Sequence, residues 1–136
     1  MELALACDIV YCTKNAFFCI KETEYGFAAD LGLLQRGPNK CTKNPSLFQE
    51  LAATACKFGA EEAFAIGMVG RIFDSESQML NHALSLNVAS KTKECLCEVK
   101  QNILYSHCNG TQRALEFARQ RNAALLLGNP LVSAKL

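Results

Sequence analysis

The sequence predicts an α/β fold around a single core, on three observations. Two short apolar runs near the start read as strands, helical apolar periodicity takes over from Asn44, and 136 residues supply about one domain. Half of the residues are apolar and 20% are charged, a globular balance and not that of a disordered or fibrous chain. A net charge of +1 offers no field to gather phosphate backbones or anionic lipid, so neither nucleic acid nor a membrane surface is an expected partner. Uncharged stretches such as residues 123–133 fall well short of the roughly 20 residues of a spanning helix.

The elements follow in order. Residues 2–7 are good helix formers with no capping side chain before them. Residues 8–12 and 16–20 are β-branched and aromatic runs divided by a Thr13-Lys14-Asn15 turn, and are expected as two buried strands. Residues 21–43 carry Gly26, Gly32, Gly37 and Pro38, the punctuation of a long loop, with one helical turn at 30–36. Asn44 then caps a helix with Pro45 in its first turn and Gly59 as its stop. A short helix at 60–66 ends at Gly67, and residues 68–73 form a strand or extended segment. Ser75 and Gln78 open a further helix reaching toward Ser90, and Leu96, Val99, Ile103 and Leu104 mark another that breaks at Asn109-Gly110 before the pattern resumes. Helical hairpins are thus expected to complete the chain.

Eight cysteines in 136 residues lie below the roughly 8–10% of disulfide scaffolds, and no basic and apolar leader opens the sequence, so a reducing compartment is expected. The Asn109-Gly110-Thr111 sequon matters only in a secretory setting. Without a C-x-x-C pair, and with Cys95 and Cys97 two apart on a helix, no metal site is expected. Cys7, Cys12, Cys19, Cys41, Cys56 and Cys108 are read as small buried hydrophobes. His82 and His107 are read as structural. Acids cluster early instead: Glu22 follows an apolar run, and Asp30 sits between Ala28-Ala29 and Leu31-Gly32. Apolar surroundings favour the neutral carboxyl and suit proton transfer. Spacing alone equally allows Asp30 as a helix cap and Glu22 as a solvated strand end.

The runs Glu2-Leu3-Ala4-Leu5-Ala6-Cys7-Asp8-Ile9, Ala16-Phe17-Phe18, Lys21-Glu22 and Gly26-Phe27-Ala28-Ala29-Asp30-Leu31-Gly32-Leu33-Leu34-Gln35-Arg36 resemble the crotonase superfamily, above all its dienoyl-CoA isomerases. The segments Leu51-Ala52-Ala53-Thr54-Ala55, Ala60-Glu61-Glu62-Ala63, Gly67-Met68-Val69 and Arg71-Ile72-Phe73 extend the likeness over most of residues 2–107. The resemblance implies the C-terminal part of a crotonase-type β/α spiral core at 1–73, followed by a helical region for trimer contacts and acyl-CoA cover at 74–136. It implies an isomerase of fatty-acid β-oxidation converting 3,5-dienoyl-CoA to 2,4-dienoyl-CoA, with Glu22 and Asp30 shuttling the proton. Glu2, where the isomerases usually carry aspartate, becomes a third pocket acid.

The alternatives are an enoyl-CoA hydratase using Glu2 and Glu22, and a non-catalytic chain that joins oligomers of the full enzyme. Asp30 favours the isomerase, because a buried carboxylate without a use costs a few kcal/mol. The thioester enolate also needs an oxyanion hole, which crotonases build from backbone N–H groups in segments that precede Glu2. The resemblance implies an acyl-CoA substrate, no cofactor, and a homo-oligomer, trimer or hexamer. The final Ala134-Lys135-Leu136 resembles a peroxisomal address, so an import receptor is an expected partner and the peroxisome the expected compartment, with the mitochondrion as the alternative.

Overall fold

The computed structural model describes residues 1–128. They form two compact units, one of Met1–Leu86 and a second beginning at Asn87. In the first, α1 (Glu2–Ala6) leads into β1 (Tyr11–Thr13) and β2 (Phe17–Phe18). A 3-10 turn (Glu22–Tyr25), α2 (Leu33–Lys40), α3 (Pro45–Thr54), β3 (Phe58–Gly59), α4 (Ala60–Ile66), β4 (Arg71–Phe73) and α5 (Glu76–Ser85) follow. β1 pairs with β4 in parallel, with Cys12 opposite Ile72, and β2 pairs with β3 antiparallel, with Phe18 opposite Phe58. A parallel pair needs a long crossover. Here the crossover carries all the intervening helices, and α5 then packs on both β1 and β4.

The core gathers Leu5, Ile20, Leu33, Phe48, Leu51, Phe58, Ala63, Ile66 and Val69 with the two buried cysteines, Cys12 and Cys41. Each large side chain so enclosed contributes about 1.5–3 kcal/mol. Helix α1 forms without a side-chain cap and is held by Leu5, its one buried residue. Helix α3 starts as its sequence dictates, Asn44 Oδ1 accepting from Leu47 N at 3.1 Å with Pro45 in the first turn. Ser75 Oγ likewise accepts from Gln78 N and opens α5. Helix α4 has the bounds its pattern predicts, ending at Gly67 with φ +87°.

Four expectations need correction. The two strands are shorter than the apolar runs, and Ile9 and Phe17 are 57% and 64% exposed. The stretch expected as mostly loop contains the eight-residue α2, which runs through Pro38. An interior proline forfeits one backbone bond and crowds the carbonyl four residues back, at a cost of about 3 kcal/mol, and the burial of Leu33 and Gly37 on the same helix works against that cost. Helix α3 stops not at Gly59 but at Ala55, which adopts φ +54°. A left-handed alanine costs roughly 1–2 kcal/mol, which the burial of Phe58 offsets once the chain turns early enough to bring it to Phe18. Helix α5 ends at Ser85, short of Ser90.

In the second unit a short 3-10 turn (Val88–Ser90) precedes α6 (Lys93–Gly128), which is interrupted at Gly110 with φ +76° and ψ 164°. That is the predicted break. Its two arms fold back on each other: Tyr105 stacks on Phe117 at 4.1 Å, and Arg121 binds Glu98 through both guanidinium and carboxylate edges. None of the described residues of α6 is buried.

Two outcomes follow from this packing. Gly37→Ala is expected to destabilise the first unit by about 1–3 kcal/mol in a thermal melt, although alanine normally favours a helix, because its Cβ would stand 2.1 Å from Phe48 Cζ. The Arg121 hydrogen bond holds the Glu98 carboxyl below its usual range. A carboxyl lowered in the folded state stabilises above its unfolded value and loses that contribution as pH falls through the folded one. Acid titration of α6 helicity by circular dichroism should therefore show a transition below about pH 4 that Glu98→Gln removes.

Candidate functional site

The segment between β2 and α2 is pinned to the core at three points. Ile20, Ala29 and Leu33 are 2%, 5% and 1% exposed. The chain between them bows outward and carries Glu22 and Asp30. Glu22 opens the 3-10 turn, whose geometry is closed by Gly26 at φ +80° and by hydrogen bonds from Gly26 N to Thr23 O and Phe27 N to Glu22 O, both 3.3 Å. Lys21 binds Glu24 at 3.1 Å along the same turn, and this bond pushes the lysine pKa up. Glu22 is half-buried. Asp30 directly follows the buried Ala29 but is itself exposed, as is Leu31 at 73%. The expected apolar enclosure of Asp30 is thus one-sided, since a residue next to an anchored alanine on an outward bow faces away from the core.

Glu2 lies in the first turn of α1, three residues before buried Leu5 and so on the same helix face, and is half-buried. None of the three carboxylates makes a side-chain hydrogen bond or ion pair among the described residues. Each stands on backbone close to a buried neighbour, Leu5, Ile20 or Ala29. Several apolar side chains of residues 1–31 are exposed: Leu3, Ile9, Phe17, Tyr25, Phe27 and Leu31. A groove of about 920 Å³ opens elsewhere, along α6, lined by Thr92, Cys95, Glu98, Arg121 and Leu125 among others, and takes in none of the three acids.

Arg36 is a residue the sequence did not single out. It donates from Nη1 to the Leu31 carbonyl at 3.0 Å, beside Asp30. Its signals in the sequence are its place at the end of the Gly26–Arg36 run and one helical turn after Gly32. Among the histidines, His82 packs against the Tyr11 and Phe73 rings at 5.4 and 5.2 Å, in keeping with a structural role, and its Nε2 is enclosed without a partner among the described residues. His107 is exposed. No group of three metal-ligating side chains occurs among the described residues.

All eight cysteines are free. Burial raises the Cys12 thiol, with Glu61 adding to it, and pushes Cys41 up to about 11 against the opposing Lys40 charge. Cys19 is half-buried and donates to Ala55 O at 3.0 Å. Contrary to expectation, Cys7, Cys56 and Cys108 are exposed. Cys7 lies in the extended exit from α1 and Cys56 just past the left-handed turn at Ala55, where the chain faces away from the core. Ala134, Lys135 and Leu136 lie outside the described residues.

The fold is an α/β unit, and the sequence comparison gives its class: residues 1–125 match the enoyl-CoA hydratase/isomerase family, and the chain belongs to it. It is 40% identical to the mitochondrial Delta(3,5)-Delta(2,4)-dienoyl-CoA isomerase of Homo sapiens, over 98% of this chain and 41% of that protein. It is 33% identical to the peroxisomal isomerase of Arabidopsis thaliana, over 98% of this chain and 48% of that protein. The chain thus spans less than half the length of these relatives.

Among solved structures, the enoyl-CoA hydratase of Thermoplasma volcanium superposes with a TM-score of 0.80 at 26% identity, over 99% of this chain and 52% of that one. A Thermobifida fusca protein described as an enoyl-CoA hydratase, solved with acetoacetyl-CoA, gives 0.80 and 26% over 94% and 50%. The architecture is therefore part of a crotonase fold followed by C-terminal helix. No helix among the described residues is long and apolar enough to cross a membrane.

The thiol environments give an ordered outcome. Alkylation at pH 8 followed by peptide mass mapping should label Cys7, Cys56, Cys95, Cys97 and Cys108 well ahead of Cys12 and Cys41, because the thiolate is the reactive form.

Proposed function

We propose that residues 1–136 form the C-terminal share of a dienoyl-CoA isomerase that converts 3,5-dienoyl-CoA to 2,4-dienoyl-CoA in fatty-acid β-oxidation. The observation that carries this reading is that the chain aligns over 98% of its length with such isomerases, and its loop presents two unpaired carboxylates, Glu22 and Asp30, on anchored backbone. In the reaction one proton leaves C2, next to the thioester, and one is added at C6. The double bonds each move by one carbon. Nothing is oxidised or reduced, so two carboxyls suffice and no cofactor is needed. One of Glu22 and Asp30 takes the proton near the thioester, and the other delivers one farther along the chain. General acid–base catalysis of this kind contributes typically about 10²–10⁴-fold.

Glu2, half-buried on α1, holds water or tunes the pair. The dienolate oxygen is stabilised by backbone N–H donors, which in the whole protein come from segments preceding Glu2. The exposed side chains of Ile9, Phe17 and Leu31 suit cover by the rest of such a protein or by an acyl chain. The substrate is an acyl-CoA, the assembly is a homo-oligomer, trimer or hexamer, with residues 74–136 supplying its contacts, and Ala134-Lys135-Leu136 addresses the protein to a peroxisomal import receptor. The two compartments of the relatives leave the mitochondrion as the alternative.

A hydratase using Glu2 and Glu22 is the second reading, supported by the hydratase names of the solved relatives. The third is a non-catalytic chain joined to full-length subunits, supported by the 41% coverage of the human relative. The intact mass of the endogenous protein, captured through its C-terminal helices, separates the third from the others: a mass near 14.9 kDa favours the non-catalytic partner, and a much larger one the enzyme. For the enzyme, 3,5-dienoyl-CoA should gain conjugated ultraviolet absorbance, whereas a hydratase would lose the absorbance of 2-enoyl-CoA. Asp30→Asn should lower the dienoyl turnover by about 10²–10⁴-fold. Full turnover in that variant would remove Asp30 from the mechanism.

A further inference from the structure

Asp30 and Leu31 lie between two buried anchors, Ala29 and Leu33, yet both are exposed. Among the described residues, no hydrogen bond to Asp30 or Leu31 is present other than the one that Arg36 Nη1 donates to the Leu31 carbonyl at 3.0 Å. The guanidinium reaches that carbonyl by lying over Gly32. A Cβ built on Gly32 would stand 2.1 Å from Arg36 Nη1 and 2.9 Å from Cζ, so the space a side chain would take is filled by the arginine. Gly32 also has φ +99°, the left-handed region that glycine enters without cost.

Arg36 itself stands on fixed ground. Its backbone N donates to Gly32 O at 3.0 Å, and the flanking helix positions Leu33 and Gly37 are buried, the latter under the Phe48 ring. A chain of contacts therefore runs from the core through α2 and the exposed Arg36 side chain to the peptide that follows Asp30.

We propose that Arg36 is a positioning residue for proton transfer. By holding the Leu31 carbonyl against Gly32, it fixes the backbone from which Asp30 projects and so sets the reach of that carboxylate toward the substrate. The inference rests on the reading of Asp30 as a proton-transfer group. The guanidinium suits this task, since it keeps one N–H on the carbonyl while its Nη1 and Cζ occupy the space beside the glycine. Lysine can supply a single donor without the plate. Geometry errors of about 1 Å remote from the reacting atoms can cost on the order of 10²-fold in rate, so loss of the clasp falls on turnover and not on binding.

The test is steady-state kinetics with 3,5-dienoyl-CoA in the complete isomerase polypeptide that carries these residues. Arg36→Ala should lower kcat by about 10–100-fold and leave KM within about twofold, and Arg36→Lys should recover part of the loss. Gly32→Ala, which evicts the guanidinium while keeping it in the protein, should lower kcat in the same way. In an Asp30→Asn background, Arg36→Ala should add no further loss, because the two act through one group.

Wild-type kcat in Arg36→Ala, a loss confined to KM, or an undiminished loss in the Asp30→Asn background would each overturn the proposal. If Arg36→Ala does not fold, Arg36→Lys and Arg36→Gln carry the same comparison, and equal, wild-type kcat in both would overturn it. Full turnover in Asp30→Asn alone sinks the isomerase role of Asp30 and this inference with it. An inactive Asp30→Asn beside a fully active Arg36→Ala sinks only the inference.

Discussion

Helix α2 is held in the core by Leu33 and by the contact of Gly37 with the Phe48 ring, and the first unit is arranged around that fit. A helix can approach a phenylalanine this closely only where no Cβ intervenes, which is why a glycine is buried in mid-helix despite its entropic cost of roughly 0.5–1 kcal/mol. The same helix packs on both α1 and α3, so the placement of one glycine bears on three elements. It also sets the exit of the loop that begins at Ile20. The carboxylate-bearing segment is thus defined less by its own hydrogen bonds than by where its buried ends are fastened.

That arrangement fixes the backbone beneath both acids, the half-buried Glu22 and the exposed Asp30. Glu22 follows the buried Ile20 by two residues and Asp30 follows Ala29 by one, so each projects from backbone whose neighbour is in the core. Anchoring of this kind gives direction without enclosure. The human relative is longer, and this chain spans 41% of it. The exposed Leu3, Ile9, Phe17, Phe27 and Leu31 are the apolar counterpart: their burial would contribute stability that the first unit does not gain from them here.

Local rules were readable wherever a side chain acts on its own backbone. Asn44 and Ser75 accept from amides three residues ahead, Gly67 closes α4, and Gly110 breaks α6, each as its residue type requires. Local rules failed where a distant partner prevailed. Pro38 did not end α2, whose buried Leu33 and Gly37 precede it, and α3 ended at an alanine because Phe58 had to reach Phe18 across the sheet. Cysteine burial was read from residue type and failed at Cys7, Cys56 and Cys108, since a small side chain takes whichever side its backbone presents. Among the candidate acids, Glu2, Glu22 and Asp30 were legible through family motifs. Arg36 lies in the same run, but its contact was not legible, because its partner is a carbonyl, and a carbonyl leaves no mark in the sequence.

By itself the sequence determined the α/β class, the family, most helix starts and the break in α6, because these depend on residue type, spacing and caps within a few positions of one another. Tertiary structure alone decided where the strands stop, which apolar side chains remain exposed, how α2 passes through its proline, and that the Leu31 carbonyl is clasped by a guanidinium lying over Gly32. The reason is physical: these features depend on space and on partners brought together by folding. Neither a missing Cβ's room nor the direction of a carbonyl exists until the chain has packed.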